Sequence, residues 1–173
     1  MKAEPLLKPP AAPEYVPDTG PDDHVPTFAE IGLDHFAPYL INRISARWNM
    51  DLQGELKEHG LTTLQMRVLA ILSIMPGATV NELSVFAVTE QSTMSRTLDG
   101  MEREGLVRRR SRPGDMRVRE VHPTGKGLRA FERVWPVMHR SLRKMFAGIS
   151  DKEYNTLIAL MTRVLKNIRR HDF

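Results

Sequence analysis

The sequence predicts a mainly α-helical fold carrying a small β-hairpin wing, and three observations predict it. Apolar residues recur at helical spacing in six segments from residue 34 onward. One short arginine-rich stretch, 106–121, instead alternates around the turn Arg112, Pro113, Gly114 and Asp115. Capping and breaking residues (Gly60, Thr62, Pro76, Gly105, Ser150) stand between the segments, where helices need to stop and start. At 173 residues and 41% apolar content the chain can bury a sizeable core.

Residues 1–27 hold seven of the twelve prolines, so they sustain neither a helix nor a central strand. Residues 1–33 are therefore expected to form a Pro-rich, acidic arm. The first helix is expected near Asp34, with Phe36, Leu40, Ile44, Trp48, Leu52 and Leu56 in one stripe, ending at Gly60. Thr62 or Thr63 caps a second helix that Pro76 and Gly77 stop. Thr79 caps a short third helix over 80–86. Thr89 is the expected cap of a fourth, with Met94, Thr97, Leu98 and Met101 as its buried face and Gly105 as its close. Two strands, 106–110 and 118–121, make the hairpin. A fifth helix starts near Thr124, and Pro136 predicts a kink or break at 132–136. Ser150 and Glu153 form a capping box for the last helix. The expected organisation is arm 1–33, dimerisation helix 34–60, winged domain 61–123 and C-terminal dimerisation helices 124–173.

The charge is uneven. Residues 1–34 carry −5 and residues 35–173 carry +9, a basic body suited to a polyanion. With no cysteine, disulfides, thiol redox chemistry and thiolate metal sites are excluded. The six histidines show no zinc spacing, and no phosphate loop or nucleophile elbow occurs, so neither an enzyme nor a metal or cofactor is expected. The most apolar run, 68–75, is too short to span a membrane, and the N-terminus lacks a signal-peptide core, so the expected location is the cytoplasm.

Helix, short helix, tight turn, helix and hairpin is the order of a winged helix-turn-helix. The second helix of the pair opens with Gln91, Ser92, Thr93, Ser95 and Arg96, small hydrogen-bonding groups and one guanidinium rather than bulky cations. A helix entering the major groove needs such groups: Gln and Arg read base edges, Ser and Thr reach phosphates or bases. Residues 106–119 hold Arg108, Arg109, Arg110, Arg112, Arg117 and Arg119 against Asp115 alone. Phosphate would screen that repulsion, and Arg110 and Arg112 are candidate contacts. Alternation puts Arg108 and Arg110 on one face and Arg109 on the other. Asp115 is placed to hold the Arg117 guanidinium by a charge-assisted bond and aim it at a minor groove.

The stretch from Asn81, Glu82 and Leu83 through Ser92 to Arg96, then Leu98 to Val107, Asp115 to Arg117, Thr124 and Gly127, resembles the MarR (multiple-antibiotic-resistance type) regulators. The likeness in layout runs from about residue 34 to the C-terminus. It implies a homodimer with two winged domains on successive major grooves of double-stranded DNA. It also implies DNA contacts at Ser92, Thr93, Ser95 and Arg96, with Asp115 and Arg117 as the wing pair. The chain departs from the family where Val88 replaces a glycine of the helix-turn-helix turn, where Pro123 replaces a leucine, and in its arm.

A two-fold dimer predicts a pseudo-palindromic operator. The resemblance further implies a small aromatic or amphipathic effector such as an aromatic acid or its acyl-CoA. The expected function is repression that this effector relieves. His35, Tyr39, Arg43 and Arg47 lie near successive turns of the first helix and suit an aromatic carboxylate, with Met66 and Trp135 as candidate walls. The alternative reading is a winged-helix interaction module that binds an acidic protein without DNA.

Overall fold

The computed structural model describes residues 25–169. The arm over 1–24 lies outside the described residues. The chain forms two compact units, Met1–Asp51 and Leu52–Phe173.

In the first unit, α1 (Phe28–Ile31) is a single turn inside the region expected to be arm. Thr27 and Glu30 cap it reciprocally, with the Thr27 amide donating to Glu30 Oε2 at 2.6 Å. A 3-10 turn, Leu33–His35, precedes α2 (Ala37–Glu58), whose last turns belong to the second unit. The helix was expected from Asp34. Pro38 explains the later start, because it has no N–H to give the Asp34 carbonyl and fits only a first helical turn. His35 consequently sits on the 3-10 turn, apart from Tyr39, Arg43 and Arg47 on α2.

The second unit holds the main core. Its helices are α3 (Thr63–Ile74), α4 (Val80–Phe86), α5 (Gln91–Arg103), α6 (Gly125–Met145) and α7 (Asp151–Ile168). Its sheet consists of β1 (Ala78–Thr79), β2 (Val107–Arg112) and β3 (Asp115–Pro123) in the antiparallel order β1-β3-β2. The expected caps Thr62, Thr79 and Ser150 are in place as full capping boxes, and Thr124 caps α6 by accepting from the Gly127 amide. Ser150 bonding also holds the Glu153 carboxyl below the usual carboxylate range. The two-residue β1 went unread in the sequence, since its only signature is a pairing with Glu120 and Val121. Leu69, Leu72, Leu83, Met94, Leu98, Met101, Val107, Val121 and Val134 are essentially buried and weld α3 to α6 and the sheet into one core.

Two joints fix this core. Gly127 on α6 lies against β2's approach, where an added Cβ would stand 2.1 Å from the Leu106 carbonyl oxygen and 3.1 Å from Leu69 Cδ2. Beside it the Thr124 hydroxyl donates to the Gly105 carbonyl at 2.6 Å and accepts from the Gly127 amide at 3.1 Å. Elsewhere α6 runs through Pro136 without the break that was one form of the expected kink or break. Proline removes one bond to the Glu132 carbonyl, but both residues are exposed, so water satisfies that oxygen while Ala130 and Val134 keep the helix packed. Among the described residues, no helix is long and apolar enough to cross a membrane.

Candidate nucleic-acid interface

The turn between α4 and α5 is tightly specified. Arg67 of α3 donates to the Ala87 carbonyl at 3.0 Å, and the Thr89 amide donates to Ser84 O at 3.0 Å. Val88 occupies the left-handed region at φ 55°, and its side chain is 82% exposed. The turn therefore adopts a glycine-type backbone although it lacks glycine, a strained state for a β-branched residue. The cap of α5 is Glu90, not Thr89 as expected: the Thr89 amide still closes the turn onto Ser84, and the first helical bond runs from the Met94 amide to the Glu90 carbonyl. Glu90 makes no side-chain cap bond, so the first amides of α5 have no side-chain acceptor there.

The helix then sorts its residues by side. Met94, Leu98 and Met101 are fully buried, while Gln91, Ser92, Thr93 and Arg96 are exposed and Ser95 is half-buried. The polar tip thus faces outward because the apolar residues recur at i, i+4 and i+7 on the opposite side.

The wing alternates as expected: Arg108 and Arg110 are exposed, and Arg109 turns inward with 20% of its side chain accessible. Arg109 meets Asp99 at 2.6 Å and Glu102 at 3.3 Å. On the outer face, Arg112 Nε donates to Glu120 Oε1 at 2.6 Å, and His122 Nε2 lies 3.3 Å from Glu120 Oε2. The Arg112 hydrogen bond, aided by His122, holds the Glu120 carboxyl below its ordinary range, and Glu120 in turn raises the Arg112 guanidinium. Arg112 is thereby already paired. Arg96, Arg108, Arg110 and Arg119 form no ion pair among the described residues.

At the tip, pairing jumps from Ser111–Arg119 to Arg112–Asp115 across the turn at Gly114, φ 87°. Asp115 was expected to grip the Arg117 guanidinium. Its carboxylate accepts from the Arg117 backbone amide at 3.0 Å and keeps a long ion pair with Nε at 3.9 Å, on a side chain that is 98% exposed. The hydrogen bond goes to the nearer backbone amide, so Asp115 shapes the turn and holds the Arg117 guanidinium only by that long, exposed ion pair.

The residues named for an effector fall in both units. Tyr39 and Arg43 pair on α2, the guanidinium donating to the hydroxyl at 3.1 Å and lying 5.7 Å from the ring centre. Arg47 is tied to Asp51 at 3.1 Å. Met66 is 3% exposed inside the core of the second unit. An apolar hollow of about 470 Å³ lies between α3 and α6, lined by Ala70, Ser73, Ile74, Leu128, Phe131, Glu132 and Trp135. Of these only Trp135 was singled out in the sequence, because the others become neighbours only when α3 packs on α6. Among the described residues, no group of three His, Asp or Glu side chains is placed to hold a metal ion.

The MarR family model matches residues 59–117, from the end of α2 through the wing tip. The HTH-type transcriptional repressor IacR of Pseudomonas putida is 28% identical over 149 residues, covering 86% of this chain and 89% of that protein. A MarR-family transcriptional regulator from Silicibacter pomeroyi, known from its crystal structure, is 44% identical with a TM-score of 0.81. It covers 86% of this chain and 100% of its own. A second regulator of the same family from Silicibacter pomeroyi DSS is 32% identical with a TM-score of 0.75, over 80% of this chain and 93% of its own. With its polar-tipped α5, its arginine wing and these relatives, the chain belongs to the MarR family of winged-helix, DNA-binding transcriptional regulators.

Proposed function

We propose that the chain is a ligand-responsive repressor that grips a pseudo-palindromic operator as a homodimer. The observation that carries this reading is the joint display on one unit of a polar-tipped α5 without a side-chain cap bond and a wing with unpaired arginines. Gln91, Ser92, Thr93, Ser95 and Arg96 read or approach base edges in the major groove. Arg110 takes a phosphate, and Arg117, held only by its long ion pair to Asp115, reaches the adjacent minor groove. Arg112 joins them only by giving up Glu120, which makes it the weakest of the set.

The dimer is supported by α7. None of its eighteen residues is buried, and Leu160, Met161, Val164, Leu165 and Ile168 are 46–70% exposed. An amphipathic helix with an uncovered apolar stripe fits a second copy. Two-fold symmetry then places half-sites about 10 bp apart. The α3–α6 hollow is the part of the second unit suited to an apolar or aromatic effector. The name of IacR, a repressor, supports repression as the sign of control.

The test is a binding titration of the full chain on a duplex it selects from a randomised library, over a salt series. A steep salt slope with sequence preference is expected. Arg117→Ala should weaken binding by roughly fivefold or more without changing the melting temperature. Unchanged affinity would remove the wing from the interface. Binding to an acidic protein with no DNA preference would replace the whole reading.

A further inference from the structure

We infer that Arg109 is a positioning residue: it sets the attitude of α5 against the wing, and sequence discrimination depends on it although it does not touch DNA. The inference rests on the DNA-reading role proposed above. Strand alternation turns Arg109 away from the exposed face that carries Arg108 and Arg110 and lays its guanidinium along α5. Its Nη1 meets Asp99 Oδ1 at 2.6 Å and Glu102 Oε2 at 3.3 Å, and its Nη2 donates to the Ser95 carbonyl at 3.2 Å. The other Glu102 oxygen accepts from the Arg109 backbone amide at 2.9 Å.

One side chain therefore spans two turns of the helix, from residue 95 to residue 102. The upper contact is made to the backbone of the turn that presents Ser95 and Arg96. The lower contacts bind the strand itself to the helix. A planar guanidinium serves several acceptors in fixed directions, so rotation or sliding of α5 breaks them together. Attraction to phosphate tolerates small errors of angle, whereas hydrogen bonds to base edges do not. Loss of the clasp should therefore spare general DNA affinity and remove discrimination.

The experiment compares the full chain with Arg109→Gln, Asp99→Asn and the double variant. The probes are the duplex selected by the unmodified protein and a scrambled duplex of the same composition, titrated by fluorescence anisotropy at several salt concentrations. Each single variant is expected to lose roughly tenfold or more in the selected-to-scrambled affinity ratio, and the double variant no more than the worse single. Binding to the scrambled duplex keeps its salt slope. A slope lower by about one, with equal loss on both duplexes, would make Arg109 a phosphate contact and overturn the inference. A lowered melting temperature with an unchanged ratio would reduce it to a strut. If Arg109→Gln does not fold, the near-isosteric Asp99→Asn carries the same readout. If the unmodified protein selects no sequence, the DNA-reading role falls first, before any variant is made, and the inference falls with it.

Discussion

Val88 stores strain at the pivot of the helix-turn-helix. Its left-handed backbone is imposed by the bonds from Arg67 to Ala87 and from Thr89 to Ser84, not by its own preference. Val88→Gly should stabilise the protein by about 1 kcal/mol, the relief of left-handed strain outweighing the extra freedom of glycine in the unfolded chain. Thermal denaturation checks it, and a lower melting temperature would mean that the turn is not strained. Glu120 gives a second prediction. Its folded carboxyl titrates lower than in the unfolded chain, so its contribution is complete above the ordinary value of about 4.3 and is lost as the pH falls through the lower folded value. Glu120→Gln should melt earlier than the unmodified protein at pH 7, and the gap should close as the pH drops below about 4.3. A gap that persists in acid would show that packing, not charge, is what Glu120 supplies.

Among the elements, the contact between α6 and the strand leading into the wing is the least forgiving. The obstacle to a side chain at Gly127 is the backbone oxygen of Leu106, which cannot swing away as a side chain can. Gly127→Ala should cost about 3 kcal/mol, the upper end for overpacking, by forcing α6 off the wing. Chemical denaturation reads the loss, and a cost below about 1 kcal/mol would mean that the helix shifts freely. The same joint carries the Thr124 hydroxyl, so α6 and the end of α5 are held by one small patch of backbone contacts. The bulged end of the hairpin has no such support: Met116 and Arg117 are 77% and 98% exposed, consistent with a tip that acquires partners only on binding.

At the scale of the whole molecule, the question is what covers α7. The core of the second unit is complete without it, since every α7 residue described is at least partly accessible. If a second copy covers it, charge on the stripe should split the assembly. Leu165→Glu is expected to shift the protein from dimer to monomer in sedimentation at micromolar concentration. It should cut affinity for the two-half-site duplex far more than for a single half-site, since linked half-sites gain from effective concentration. A chain that sediments as a monomer before any substitution would leave the α7 stripe to another partner.

The sequence by itself determined the order of the elements and the faces of the helices. Caps such as Thr62, Thr79 and Ser150 act over three residues, and Met94, Leu98 and Met101 define their side of α5 by spacing alone. Such local terms need no knowledge of the fold, and so the exposed set Gln91, Ser92, Thr93 and Arg96 was legible in the sequence. The tertiary structure decided which arginines are free. Six arginines of one hairpin look alike in sequence, yet Arg109 is claimed by carboxylates seven and ten residues back and Arg112 by Glu120 across the ladder, while Arg117 keeps only a long, exposed pairing with Asp115. It likewise decided that β1 exists and that Met66 belongs to the core. The reason is range: capping and periodicity are set by neighbours along the chain, whereas the partner of a long charged side chain is set by whatever folding brings beside it.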